Sequence, residues 1–325
     1  MEATARKYLT GIGLPRSNQY IRLSMMKTRD IQIRDPFILP LQAENVYYMF
    51  GTTDQNCWKG PGGGFDCYKS EDLAAWDGPI PAFRPSSTFW GKENFWAPEV
   101  HFFNDRYYMF ASFKADHRYR ATQILVSDNV SGPYEPLTEE PITPADWECL
   151  DGTLFVDDDG SPWIVFCHEW VQIHNGSICA LKLTLDLKKS VGRPLFLFSA
   201  SEAPWVLGMG GWDGSNPQYR FPTYVTDGPF LYRLNSGTLL MLWSSFGSKG
   251  YAMGIARSAS GNVTGPWQHD PTPLWLEDGG HGMIFKTFDG KLMLTFHSPN
   301  NTPKERPVFV ELEETQDNIH IKSLN

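Results

Sequence analysis

Three aspartates and a histidine stand at the head of short apolar strands: Asp35 in DPFILP, Asp151 in DGTLFVD, Asp227 in DGPFLYR and His281 in HGMIFKT. Glu99, in APEVHFF, stands near the head of a further one. In chain order, each of the five is followed by a polar turn and a second apolar run: VYYMFGT, RYYMFAS, PWIVFCH, LLMLWSS and LMLTFHS. Tyr47, Trp163 and Leu239 come twelve positions after Asp35, Asp151 and Asp227 respectively. Repetition with a polar residue at a fixed place implies a radial array of like units, which gathers those residues at one spot. Gathered carboxylates cannot all ionise cheaply, because like charges and burial both raise a carboxyl pKa. One then stays protonated near neutral pH while another stays ionised, and such a pair can act as general acid and general base.

The elements that must hold these residues are strands. No window shows a sustained i, i+3, i+4, i+7 apolar stripe. Runs rich in Val, Ile, Phe, Tyr and Trp alternate with Gly, Asp, Asn and Pro clusters, and NDR, DDDG, NSG and FDG separate paired runs as hairpin turns do. The Asp157–Asp158–Asp159–Gly160 run reads as such a turn and lacks the remaining ligands of a calcium loop. A second repeated element, KSEDLAAWDGP, VSDNVSGPYEP and RSASGNVTGPWQ, falls late in its units and gives each about four strands, the size of a propeller blade. The expectation is an all-β, five-bladed β-propeller spanning residues 1–325 as one domain, with residues 1–27 a peripheral extension. The longest gap between blade cores holds the insertion 201–222, expected as a loop beside the site.

Hydrophobic content of 41% against 20% charged residues allows a full core and argues against disorder. Aromatic content of 14%, with 12 Trp, suits strands and flat ligands such as sugars. A net charge of −9 argues against nucleic acid or an anionic membrane as partner. No run of apolar residues is long enough to span a bilayer, and MEATARKYLTGIGLPRS lacks the apolar core of a leader, so the compartment, cytoplasmic or a processed periplasmic or secreted form, is not assigned. HExxH, Walker A and GxSxG motifs are absent, which weakens zinc-protease, P-loop and serine-esterase readings. Of five cysteines, Cys167 and Cys179 read as buried hydrophobes, while Cys57 and Cys67 flank a Gly-rich loop and are a candidate disulfide.

With IRDPFIL around Asp35, FWAPEV around Glu99, LDGTLFVDDDG around Asp151, TDGPFLYR around Asp227, GPW at 265–267 and GGHGMIF at 279–285, the chain resembles glycoside hydrolase family 43 over about residues 30 to 315. The resemblance implies a five-bladed propeller that hydrolyses arabinose-, xylose- or galactose-containing glycans with inversion, without a required cofactor. It implies Asp35 as general base and Asp151 as the residue that raises and orients the acid. The family's acid is normally a glutamate in an EGP motif; here Asp227 stands in TDGP. Aspartate reaches roughly 1 Å less far. Glu169, in CHEW beside His168, is the rival acid.

Trp96 is read as a sugar-stacking wall or as core between blades, and Trp212 with Asp213 as shaping a subsite. His281 is expected to bind substrate or to hold a water or a cation such as calcium on the axis. Arg306 is expected to contact sugar hydroxyls or to neutralise an acid. Glu99 reads as structural rather than catalytic. The function expected is an exo-acting inverting hydrolase that releases a pentose or galactose unit from plant-type oligo- or polysaccharides, an α-L-arabinofuranosidase first. β-Xylosidase, β-galactosidase and a non-catalytic sugar-binding propeller are the alternatives.

Overall fold

The computed structural model describes residues 25–209 and 222–322. These residues form five antiparallel sheets, each running outward from an inner strand, and together they make the expected five-bladed β-propeller. The inner strands are Arg34–Leu41, Glu93–Phe103, Cys149–Val156, Asp227–Arg233 and Gly280–Lys286. The second strands are Val46–Thr52, Arg106–Ala115, Pro162–His168, Leu239–Gly247 and Leu292–Ser298, and they are the most apolar and most buried. Parallel faces of neighbouring blades bury both sides of these strands, which is why VYYMF and LLMLW read as continuous apolar runs rather than alternating ones. At the end of the stretch expected as a peripheral extension, Met26–Lys27 pairs with Ala75–Trp76 and adds a short outermost strand to blade one.

Every inner strand carries a bulge at the same place. Pairing jumps between Arg34 and Phe37, Trp96 and Glu99, Leu150 and Thr153, Asp227 and Phe230, and Gly280 and Met283. The second residue of each bulge is left-handed: Asp35 (φ 53°), Ala97 (47°), Asp151 (54°), Gly228 (50°) and His281 (54°). Bulges re-aim a strand, and left-handed non-glycine residues persist only where the surroundings over-determine them. Here the surroundings are the adjacent blades. Thr52 Oγ1 accepts the Ala97 N–H at 2.8 Å, Ser112 Oγ the Asp151 N–H at 2.9 Å, Ser244 Oγ the His281 N–H at 2.8 Å, and His297 Nδ1 the Asp35 N–H at 3.1 Å. Each acceptor sits on the second strand of the preceding blade, opposite the first residue of that blade's bulge. In blade three this place is held by Cys167, a weak acceptor, and the Gly228 N–H turns instead to Asp151 Oδ2 at 3.0 Å. The five bonds run once around the axis.

This register corrects one expectation. The residue equivalent to Asp35 and Asp151 in blade four is Gly228, and Asp227 lies one position before it, equivalent to Arg34 and Trp96. Glu99 lies beyond its bulge, equivalent to Phe37, and its carboxylate meets His101 Nε2 at 3.1 Å. The disulfide expectation also fails: Cys57 and Cys67 are free buried thiols, Cys67 facing the interior of blade one while Cys57 lies in the loop under Trp96. The Asp157–Gly160 run is a hairpin turn, with the Gly160 N–H donating to Asp157 O at 2.8 Å.

The closing bonds set two stability outcomes. Ser244→Ala leaves the buried His281 N–H without its acceptor and should cost about 1–3 kcal/mol in urea unfolding. Gly228→Ala should be more damaging, because its backbone is left-handed and a Cβ would lie 2.6 Å from His281 Cδ2. A Gly228→Ala protein as stable as wild type would contradict this packing.

Candidate active site

The bulges point Asp35, Asp151 and His281 to one mouth of the axis, and Asp227 joins them from the adjacent position. All four line a single cavity of about 410 Å³. Each of the three aspartates is tied differently. Asp35 Oδ2 accepts from Thr52 Oγ1 at 2.8 Å, so the same threonine fixes the Asp35 carboxylate and the junction with blade two. Asp35 Oδ1 lies 3.1 Å from His281 Nδ1, and the same nitrogen is 3.7 Å from Asp151 Oδ2. Asp227 Oδ2 accepts from the Tyr251 hydroxyl at 2.9 Å.

Charge separates the three. Burial works against ionisation of Asp35, yet the His281 imidazolium and the Arg34 guanidinium hold its carboxyl well below the usual carboxylate range. Burial pushes Asp151 up to about 8; Asp227 and Asp35 add to this, while His281 and the Gly228 N–H oppose it. Burial pushes Asp227 up to about 6, with Asp35 and Glu169 adding and His281 and the Tyr251 hydroxyl opposing. Near neutrality Asp35 is thus an anion, and Asp151 and Asp227 hold a proton between them. His281 is raised to about 10: burial disfavours its charge, but Asp35, Asp151 and Asp227 outweigh that. His297 is the opposite case, lowered to about 3 by burial and by Arg34, and its neutral ring accepts the Asp35 N–H through Nδ1.

The remaining expected residues divide. Trp96 lines the cavity, half-buried, with its Nε1 donating to Cys57 O at 2.7 Å. Glu169 also lines it, but its Oε2 is engaged by Arg120 Nε at 3.1 Å. Arg306 does not reach the cavity: its guanidinium donates to the carbonyls of Arg29, Pro303 and Glu305. Its neighbour Glu305 turns inward instead and pairs with Arg34 at 2.9 Å. Trp212 and Asp213 lie outside the described residues. His281 presents its Nδ1 to carboxylates, and among the described residues no group of three or more His, Cys, Asp or Glu is arranged to hold a metal ion.

Several lining residues were not singled out from the sequence. Arg34 precedes Asp35 directly and holds the place in blade one that Asp227 holds in blade four. Arg120, Tyr251, Trp58 and Asn300 carry no local signal. Arg120 and Arg34 each stack on an indole, Trp96 at 3.8 Å and Trp58 at 4.8 Å, and the two indoles meet edge to face at 5.1 Å. One wall of the cavity is thus an alternation of guanidinium and aromatic faces.

Comparison with known proteins identifies the family. Residues 30–317 match the family model of glycosyl hydrolases family 43. The chain belongs to that family. Among solved structures, this family-43 glycosidase is similar to an endo-arabinase from Bacteroides thetaiotaomicron, at 42% identity over 90% of this chain and 99% of that one, with a TM-score of 0.82. An endo-1,4-β-xylanase from the same organism is 25% identical over 93% of this chain and 97% of that one, with a TM-score of 0.72. An α-L-arabinofuranosidase from Lactobacillus brevis, at 18% identity over 91% and 93% of the two chains and a TM-score of 0.67, shows the shared fold.

The raised carboxyls make a prediction for stability. A folded-state pKa above the unfolded value of about 3.9 means the folded enzyme binds the extra proton, so stability is lost as pH rises through the window from about 4 to 8. Asp151→Asn removes that loss. Its melting temperature relative to wild type should therefore be higher at pH 9 than at pH 5, by roughly 2–4 °C for each kcal/mol relieved. A difference that does not change with pH would show that Asp151 is not held protonated.

Proposed function

We propose that this family-43 glycoside hydrolase cleaves α-L-arabinofuranosidic bonds in arabinose-containing plant glycans with inversion, using Asp35 as general base and Asp227 as general acid. The observation that carries the roles is the opposite charge preference of two carboxyls in one cavity, Asp35 well below the usual range and Asp227 raised to about 6. Protonated Asp227 gives its proton to the glycosidic oxygen as the bond to the anomeric carbon breaks. Water attacks that carbon from the opposite face, and Asp35 takes the water's proton. Exchange with solvent then restores both groups. A weakly basic carboxylate suffices, because the carbon under attack has oxocarbenium character. Asp151 competes with Asp227 for a proton and, through the Gly228 N–H, fixes the backbone beside it. His281 keeps Asp35 ionised. Glu169 is left to anchor Arg120 rather than to act as acid.

Arabinan is favoured as substrate by the likeness to the endo-arabinase, the only one of the three compared structures above 40% identity. That likeness also favours internal cleavage over the exo action expected from the sequence. Product sizes from linear arabinan decide between them: arabinose alone from the outset means exo action, and a ladder of oligosaccharides means endo action.

Asp35→Asn should lower kcat on arabinan by about 10²- to 10⁴-fold, and Asp227→Ala should do the same on arabinan while retaining most activity on an aryl arabinofuranoside, whose leaving group needs little protonation. Equal losses on both substrates would remove Asp227 from the acid's role. In wild type, kcat on arabinan should fall as pH rises through about 6, where Asp227 loses its proton. The aryl substrate should show no such limb. No acidic limb from Asp35 is expected within the range where the fold survives, because that group is already ionised. Proton NMR of the first-formed sugar anomer checks inversion.

A further inference from the structure

We propose that Trp58 carries a second sugar subsite outside the catalytic cavity, a hollow that takes a further neutral sugar unit of the glycan whose scissile sugar lies over Asp35. The proposal rests on the glycan being the substrate, not on the linkage or the acid assigned above. Trp58 sits in the loop between the second and third strands of blade one and is 48% exposed. An indole left so exposed is ordinarily mobile. This one is fixed. Its Nε1 donates to Thr302 Oγ1 at 2.8 Å, the Thr302 hydroxyl donates to Glu305 Oε1, Arg34 Nη1 donates to the same oxygen at 2.9 Å, and the Arg34 guanidinium returns to the indole face at 4.8 Å. The circuit closes on Glu305, which is fully buried. Trp96 abuts the ring edge-on, and the loop is pinned by the Gly63 N–H on the Asp54 carboxylate at 3.1 Å and the Gly62 N–H on Lys92 O at 2.8 Å.

A rigid exposed indole is a preorganised platform, since nothing need be ordered when a ligand stacks on it. Beyond it opens a hollow of about 490 Å³ lined by Gln32, Gln55, Asn56, Trp58, Thr302 and Pro303. None of these is charged. The side-chain amides of Gln32, Gln55 and Asn56 can both donate and accept, as sugar hydroxyls require, and the aromatic face suits the C–H face of a pyranose or furanose. An anionic or cationic ligand would find no counter-charge there. Trp58 lines both this hollow and the catalytic cavity, so a chain passes from one to the other across a single side chain.

The test is chain-length dependence. On linear arabino-oligosaccharides from disaccharide to hexasaccharide, wild-type kcat/KM should climb with length. In Gln55→Ala/Asn56→Ala and in Trp58→Ala the ratio of long- to short-substrate kcat/KM should fall about tenfold. The first variant changes exposed side chains and so guards against misfolding in the second. Unchanged ratios in both variants would overturn the proposal, and would leave Trp58 as a cavity wall or a protein-contact residue. If wild type hydrolyses none of these oligosaccharides, the linkage reading fails, and calorimetric binding of arabino-, xylo- and galacto-oligosaccharides to Asp35→Asn decides instead. Affinity that rises with length and depends on Gln55 and Asn56 supports the subsite. Affinity independent of length, or no binding at any length, overturns it.

Discussion

The site depends on one recurring constraint: each inner strand is broken by a left-handed bulge whose freed N–H is captured by the neighbouring blade. A buried N–H without a partner is costly, so the bulge and its captor must occur together. Thr52, Ser112, Ser244 and His297 are captors in four blades, and Asp151 itself serves at the junction where Cys167 cannot. The bonds that hold the blades in a ring are therefore the bonds that aim Asp35, Asp151 and His281. Fold closure and site geometry are a single arrangement here. The first and last blades meet in this way too, with the Asp35 N–H on His297 and the Phe288 N–H on the Tyr47 hydroxyl at 2.9 Å.

Burial without more would push all three aspartates toward the neutral form. What divides them is the placement of cations. His281 Nδ1 stands closer to Asp35 than to Asp151, and Arg34 stands on the Asp35 side. Asp35 is thereby kept as an anion, while burial raises both Asp151 and Asp227, and the charge of Asp227 raises Asp151 further. The positive charge of His281 is in turn secured by the three carboxylates around it. The set is mutually dependent, so no one of these groups has a protonation state independent of the others.

Around this centre lies a wall built from guanidinium and indole faces, Arg34 on Trp58 and Arg120 on Trp96. Each arginine is also tethered to a buried glutamate, Glu305 or Glu169. Such tethering holds flat surfaces in place without closing them off from the cavity. It also engages the Glu169 carboxylate with the Arg120 guanidinium.

Much of the fold was legible in the sequence, because propeller blades repeat and each repeat leaves the same run of apolar second strand behind the same polar head. The convergence of Asp35, Asp151, Asp227 and His281 followed from that repetition, since equivalent strands of a wheel meet at its axis. Local signals of this kind depend on the backbone period and on side-chain type, which a sequence states outright. Tertiary structure alone decided the rest. It placed Gly228 rather than Asp227 at the equivalent bulge position, left Cys57 and Cys67 apart, turned Arg306 away in favour of Arg34, and chose Arg120 as the partner of Glu169. Those outcomes depend on which side chains from distant blades come within a few ångströms of one another, and on how burial and neighbouring charge then set their protonation. Neither quantity exists until the ring has closed.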